Sequence, residues 1–168
     1  MRLYRLAAAQ GHAIAQNNLG GMFYNGQGVA QDYAEAVRLY RLAAAQGEAR
    51  AQHNLGIMFY NGRGVAQDYA EAVRLWRLAA AQGYAGAQYN LGAMFQIGQG
   101  VAQDDAEAGR WYLLAAAQGD ADAQYILGNR FARGRGVAQD DAEAVRWWRL
   151  AAAQGHAGAT AALARLGA

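Results

Sequence analysis

EARAQHNLGIMFYNGRGVAQDYAEAVRLWRLAAAQG, residues 48–83, follows HAIAQNNLGGMFYNGQGVAQDYAEAVRLYRLAAAQG, residues 12–47, and differs from it at only six positions. The closing pentapeptide AAAQG occurs five times, at 7–11, 43–47, 79–83, 115–119 and 151–155, always 36 residues apart. A fixed period of 20–50 residues marks a solenoid, in which each unit buries its apolar face only against its neighbours. Four gapless units fill 12–47, 48–83, 84–119 and 120–155, between a partial N-terminal helix at 1–11 and a C-terminal helix at 156–168. The opening MRLYRLAAAQG aligns with VRLYRLAAAQG at 37–47, so the chain is expected to begin inside a unit, as a piece of a longer array would. Residues 1–168 are expected to form a single solenoid domain.

Each unit reads as helix, Gly-rich turn, helix. The second helix is expected to open at Asp32, Asp68, Asp104 and Asp140, each followed three residues later by Glu35, Glu71, Glu107 or Glu143. That spacing predicts a capping box, in which the two side chains reciprocally satisfy orphan amides. Ala36, Leu39, Tyr40, Ala43 and Ala44 fall at i, i+3, i+4, i+7 and i+8, one helical stripe. Gly47 and its equivalents stop the helix in the left-handed C-cap conformation. The first helix carries Ala15, Leu19, Met22 and Phe23 as its own stripe. Gly20, Gly56, Gly92 and Gly128 sit in its middle, where Gly costs about 1 kcal/mol relative to Ala. A cost repeated in register predicts a helix crossing too close for a Cβ. Gln16, Gln52, Gln88 and Gln124 are expected to bond between helices, and Trp76, Trp111, Trp147 and Trp148 to pack in the core.

The pattern L-G-x-x-[FY]-x-x-G-x-G-V-x-x-D-x-x-x-A, then A-A-x-Q-G-x-x-x-A-Q, resembles the Sel-1-like repeat, a relative of the tetratricopeptide repeat. The match runs through the whole chain and departs at its ends, where unit zero lacks its capping Asp and Thr160 and Ala164 replace Gln and Gly. The resemblance implies an all-α, right-handed α-solenoid, a superhelix of antiparallel helix pairs with 36-residue repeats. It also implies a non-enzymatic protein-interaction adaptor.

Repeat comparison locates the candidate site. Of the six positions separating 12–47 from 48–83, three lie on the first helix at spacings of three and four, hence on one face. Across the units that face reads Ile14, Arg50, Gly86, Asp122; then Asn17, His53, Tyr89, Tyr125; then Gly21, Ile57, Ala93, Asn129. It continues through Tyr24, Tyr60, Gln96, Ala132 and Asn25, Asn61, Ile97, Arg133, with an amide ladder Asn18, Asn54, Asn90 beside it. By similarity to tetratricopeptide repeats this is the concave groove, expected to bind a protein or an extended peptide. Tyr and Arg are the anchors expected of such surfaces. A solvated face under no constraint is the competing reading. The amides fit either the backbone of a threaded peptide or a loop of the adjacent unit.

The remaining composition excludes chemistry more than it suggests it. The chain has no Lys, Ser, Cys or Pro, and Thr160 is its only Thr, so the usual nucleophiles and the Schiff-base amine are missing. His12, His53 and His156 show no ligand spacing, and no catalytic residue, metal or cofactor is expected. Fifteen Arg against thirteen acids give a net charge of +2, which is no nucleic-acid footprint. No run of 18 apolar residues suits a membrane span, and the opening lacks the apolar region of a signal peptide. A soluble chain is expected, its compartment left open between cytoplasm and export from a bacterium. Two rival functions stand beside the adaptor: an idealised or designed repeat scaffold without an evolved partner, and a helical-repeat RNA binder resting on Arg130, Arg133, Arg135, Arg146 and Arg149. End-to-end self-association is expected through residues 1–11, where Leu3, Tyr4 and Leu6 lack the neighbour that covers their equivalents.

Overall fold

The computed structural model describes residues 2–167, without the side chain of Arg2, so Met1 and Ala168 lie outside the described residues. These residues form ten helices and no strand: α1 (Arg2–Ala9), α2 (Ala13–Asn25), α3 (Tyr33–Ala45), α4 (Ala49–Asn61), α5 (Tyr69–Ala81), α6 (Ala85–Ile97), α7 (Asp105–Ala117), α8 (Ala121–Arg133), α9 (Asp141–Ala153) and α10 (Ala157–Leu166). The chain divides into two compact units, Met1–Tyr84 and Ala85–Ala168.

In each unit a first helix packs on the second helix that follows it, α2 on α3, α4 on α5, α6 on α7 and α8 on α9. The pairs are antiparallel: Gln16 meets Gln46, Gly20 meets Tyr40, and Phe23 meets Asp32. The Gly20 column explains its own cost. A Cβ on Gly20, Gly56, Gly92 or Gly128 would stand 2.8, 2.5, 2.8 or 2.6 Å from the ring of Tyr40, Trp76, Tyr112 or Trp148. The close crossing expected from the sequence is therefore a helix backbone seated against an aromatic ring. Around it, Ala36, Leu39 and Ala43 with their counterparts Ala72, Leu75 and Ala79 are buried.

AAAQG is a stacking device. Gly47 takes φ +85°, and the amides of Gly47 and Glu48 donate to the carbonyls of Ala44 (3.0 Å) and Ala43 (3.2 Å). Those two bonds form a Schellman motif, which satisfies carbonyls that would otherwise be orphaned at the helix end. The Gln that precedes the Gly reaches across the pair, its Nε2 donating to Oε1 of Gln16, Gln52, Gln88 or Gln124 at 2.7–2.9 Å. Gln16, Gln52 and Gln124 in turn donate to the carbonyls of Ala8, Ala44 and Ala116 on the preceding second helix, at 3.2, 3.4 and 3.1 Å. One buried amide thus ties three helices, as the expected inter-helix role requires. Replacing Gln52 by Leu removes two hydrogen bonds, but the Ala44 carbonyl still accepts from Gly47 and the Gln82 amide still donates to the Leu78 carbonyl, so we expect a loss of about 1–2 kcal/mol. Gln82→Leu leaves the buried Oε1 of Gln52 without its donor and is expected to cost as much or more, about 1–3 kcal/mol, and thermal denaturation of the two variants checks the order.

The acidic caps form only in part as the sequence suggests. Oδ1 of Asp32, Asp68, Asp104 and Asp140 accepts from the amide three residues on at 2.9–3.0 Å. The reciprocal half is absent. The amides of Asp32, Asp68, Asp104 and Asp140 donate instead to the carbonyls of Phe23, Phe59, Phe95 and Phe131. Glu35 is drawn away by Arg38, whose guanidinium donates to it twice at 2.7 Å, and Glu71 pairs with Arg74 in the same way. A charged neighbour one turn along outcompetes a neutral amide for a carboxylate.

Among the described N-terminal residues Leu3 is 81% exposed and Tyr4 44%, whereas Leu39 and Tyr40 at the same repeat positions are buried. Leu6 differs from the expectation. At 54% it resembles Leu42, Leu78, Leu114 and Leu150 at 42–48%, so its exposure belongs to the repeat position and not to a missing neighbour.

Candidate functional site

In Met1–Tyr84, α2 and α4 leave a cleft of about 280 Å³ lined by Gly21, Tyr24, Asn25, Tyr40, Asn54, Ile57 and Met58. One period earlier, Tyr4 with Asn17, Asn18, Gly21, Met22, Asn25, Gln27 and Asn54 lines a recess of about 390 Å³. Tyr4 and Tyr40 hold the same repeat position, so an aromatic ring of a second helix forms part of each wall. Burial, with Tyr24 nearby, pushes the Tyr40 hydroxyl up to about 12, so it stays neutral and can both donate and accept. Tyr24 is also engaged: its hydroxyl accepts from Arg63, whose guanidinium lies 5.7 and 5.6 Å from the rings of Tyr24 and Tyr33.

The amide ladder links successive first helices. Nδ2 of Asn54 donates to Oδ1 of Asn17 at 3.0 Å, and Nδ2 of Asn17 donates to Oδ1 of Asn18 at 3.4 Å. Asn17 is only 4% exposed, so it serves its neighbours more than the open face. The rest of its column packs likewise. The His53 ring lies 4.9 Å from Tyr84, that of Tyr89 5.7 Å from Tyr112, and Tyr125 stacks on His156 at 4.4 Å. Burial holds the His53 imidazole below its ordinary value.

In Ala85–Ala168 a cleft of about 290 Å³ opens among α8, α9 and α10, lined by Tyr125, Asn129, Ala132, Arg133, Trp148, Gly158, Ala161, Ala162, Arg165 and Leu166. The structure thus brings together Asn17, Asn18, Tyr24, Asn25, Asn54 and Ile57 in one unit, and Tyr125, Asn129 and Arg133 in the other. The remaining candidates are dispersed. Arg50 and Ile97 are exposed, and Asn90 is half-buried. Asn61 donates to the carbonyl of Ile57 at 3.0 Å, and Tyr60 packs 5.4 Å from Tyr69. Oε1 of Gln96 accepts from Arg130, and Asp122 meets Nε2 of His156 at 3.2 Å. Sequence reasoning missed Tyr40, Trp148 and Arg165. For Tyr40 and Trp148 the signal was the aromatic column facing the mid-helix glycines, which reads as core until the walls around it are known. For Arg165 it was its place one period after Asn129 in the Gly21 column.

Further recesses of about 410 and 370 Å³ lie between second helices, lined by Arg5, Glu35, Arg38, Leu39 and Leu42 and by their equivalents Arg41, Glu71, Arg74, Leu75 and Leu78. Glu35, Arg38 and Leu42 recur unchanged in every full repeat, while Leu39 gives way to Trp111 and Trp147 and Arg41 to Leu113, so these recesses vary at fewer positions than the first-helix clefts.

The arginine cluster behind the RNA reading is largely neutralised. Arg130 is 3% exposed and held by Asp105, Arg135 also pairs with Asp105, and Arg146 pairs with Glu143. Only two of those five cations, Arg133 and Arg149, have no acidic partner among the described residues. No group of three His, Cys, Asp or Glu among the described residues could hold a metal ion, and no described helix is long and apolar enough to cross a membrane.

Paired helices of fixed length, stacked through a repeated amide relay, define a helical-repeat solenoid protein. The Sel1 repeat model matches residues 1–12, 13–48, 49–84, 85–120 and 121–156, and the chain belongs to the Sel1 repeat family. It is 43% identical to a protective antigen present in uropathogenic Escherichia coli strains, which displays an SLR fold; the match covers 90% of this chain and 32% of that one, with a TM-score of 0.87. It is 39% identical to a Sel1 repeat protein from Oxalobacter formigenes, over 97% of this chain and 47% of that one, with a TM-score of 0.89. The chain therefore spans about a third and about half of these two. Helicobacter pylori cysteine rich protein B, at 22% identity and a TM-score of 0.64, covers 79% of this chain and 96% of its own and shares the fold. No curated protein matches the chain.

Proposed function

We propose that this protein is a non-enzymatic adaptor that holds a protein partner, through an extended segment, in the clefts of its first-helix face. Sel1 repeat proteins are in general protein–protein interaction adaptors. The observation that carries the reading is the recurrence of one cleft, with an aromatic wall at a fixed repeat position, whose other linings change while the stacking residues do not. In Met1–Tyr84 those linings offer the Asn25 amide and apolar Ile57 beside the Tyr24 ring. Amides meet a peptide backbone and apolar side chains fill the spaces between, the division of labour found in peptide grooves. Where a free amide is not offered, as at Asn17, the cleft wall is held in register.

A photo-crosslinking residue at position 25 or 57, compared with one at Leu42 or Leu78 on the exposed second-helix face, tests this directly. Partner adducts are expected from 25 and 57 and not from 42 or 78. Adducts only from 42 and 78 would move the site to the opposite face and defeat the proposal.

A further inference from the structure

The clefts in the two units are the same cleft, three repeats apart, with opposite chemistry. Gly21, Tyr24, Asn25, Tyr40, Asn54, Ile57 and Met58 correspond one for one, at +108, to Asn129, Ala132, Arg133, Trp148, Ala162, Arg165 and Leu166. The volumes, about 280 and 290 Å³, are nearly equal. The changes run one way: Tyr24 and Asn54 shrink to Ala, while Asn25 and Ile57 become Arg and Gly21 becomes Asn. The volume is kept, and two guanidinium groups enter its edge as donors.

Those donors are uncommitted. Arg38, Arg74, Arg110 and Arg146 each pair with the Glu three residues before, and Arg130 and Arg135 share Asp105. Arg133 and Arg165 have no acidic partner among the described residues, and both are exposed. Asp122, the acid on α8, lies eleven residues from Arg133, roughly 16 Å along the helix, and is held by His156. Behind the cations, Trp148 is buried with its Nε1 lacking any acceptor, whereas Nε1 of Trp76 at the same repeat position donates to the His53 carbonyl at 3.1 Å. Beside them Leu166 is 58% exposed, an apolar surface within the same cleft.

Resting on the first-helix face as the peptide site, we infer that the Ala85–Ala168 cleft takes the side-chain carboxylate of an acidic residue flanked by an apolar one. The carboxylate is received by Arg133 and Arg165 with the Asn129 amide, and the apolar neighbour covers Leu166 and the edge of Trp148. Two guanidinium groups around one carboxylate form charge-assisted hydrogen bonds, stronger than neutral ones. The equivalent cleft in Met1–Tyr84 has no cation in its lining and accepts a neutral segment.

The full chain is titrated with a fluorescently labelled Glu-Leu alternating hexapeptide, acetylated and amidated so that no terminal carboxylate competes, and with the same peptide carrying Gln for Glu. Anisotropy is expected to show the Glu peptide binding about tenfold or more tightly, an advantage that falls with added salt. R133Q/R165Q should erase that preference while circular dichroism shows unchanged helicity. Equal binding of the two peptides, no binding of either, or a preference surviving in R133Q/R165Q overturns the inference. Crosslinks from positions 25 and 57 in the absence of a charge preference would leave the first-helix face as the binding surface and remove only its acid selectivity. Inorganic phosphate that displaces the peptide at equimolar concentration would show a general anion site and also overturn it.

Discussion

Asp105→Ala is expected to destabilise the protein by about 1–3 kcal/mol, while Arg130→Met costs less than about 1 kcal/mol or stabilises it. Both variants break the same ion pair, and the asymmetry follows from where each charge is left. Arg130 is 3% exposed; its Nη2 donates to the backbone carbonyl and to Oδ1 of Asp105, its Nη1 to Gln96 at 3.1 Å, and its Nε has no partner. Losing the carboxylate leaves a buried guanidinium with neutral partners alone, the residue-105 carbonyl and Gln96. Losing the guanidinium leaves Asp105 partly exposed and still held by Arg135 through Nε at 3.0 and 3.1 Å. Met occupies the Arg130 position in every other full repeat, as Met22, Met58 and Met94, so the site is already shaped for it. Gly109 stands where other repeats have Val37, Val73 and Val145, and a Cβ there would lie 3.7 Å from Nε of Arg130. Arg130→Met with Gly109→Val should therefore restore ordinary packing, and Asp105→Ala should cost little in that background. Chemical denaturation of the single and combined variants reads the coupling.

The pH dependence carries a definite sign. Burial pulls the Asp105 carboxyl up, but hydrogen bonds and charge from Arg135 and Arg130 together outweigh it and hold the group below its ordinary 3.8. A carboxylate lowered by folding stabilises the folded state above the unfolded value and loses that contribution as pH falls through the folded one. The stability difference between the wild type and Asp105→Asn should be constant near neutrality and shrink below about pH 4. A difference that grew on acidification would contradict the ion-pair account.

How far such features are legible in sequence depends on the range of the interaction. The Asp32 cap, the Gly47 stop and the Gly20 crossing are settled within one helix pair, and a 36-residue ruler displays them. The Glu35 side chain was misjudged because two local partners compete for it, and the charged one wins. The Asn17 column was legible as one face of one helix, but not as a face that packs on its neighbours. Asn17, His53 and Tyr125 pack on the following repeat, and Tyr89 on its own. Arg130 looked like part of a basic cluster because its acid lies 25 residues earlier, at Asp105, and its amide 34 residues earlier, at Gln96. A residue that breaks the repeat can be exposed for binding or buried with a compensating partner, and only the fold tells Arg133 from Arg130.

Trp76→Ala is expected to cost about 3–5 kcal/mol, the usual cost of truncating a buried aromatic side chain. Its companion variant has the less obvious sign. Gly56→Ala gains about 1 kcal/mol of helix propensity, yet the new Cβ would stand 2.5 Å from Nε1 of Trp76 and 2.7 Å from Cδ1, so the indole must shift. Nε1 is tied to the His53 carbonyl at 3.1 Å, and Trp76 also lies 5.8 Å from the Tyr60 ring, so the ring has little room to move. Overpacking of about 1–3 kcal/mol then outweighs the propensity gain, and Gly56→Ala destabilises the wild type. In Trp76→Ala the obstruction is gone, the Cβ fills part of the void, and the same substitution becomes stabilising by up to about 1 kcal/mol. The double-mutant cycle should show a coupling of about 1–3 kcal/mol with this change of sign. If Gly56→Ala stabilised both backgrounds equally, the glycine would be a helix defect and not a seat for the ring.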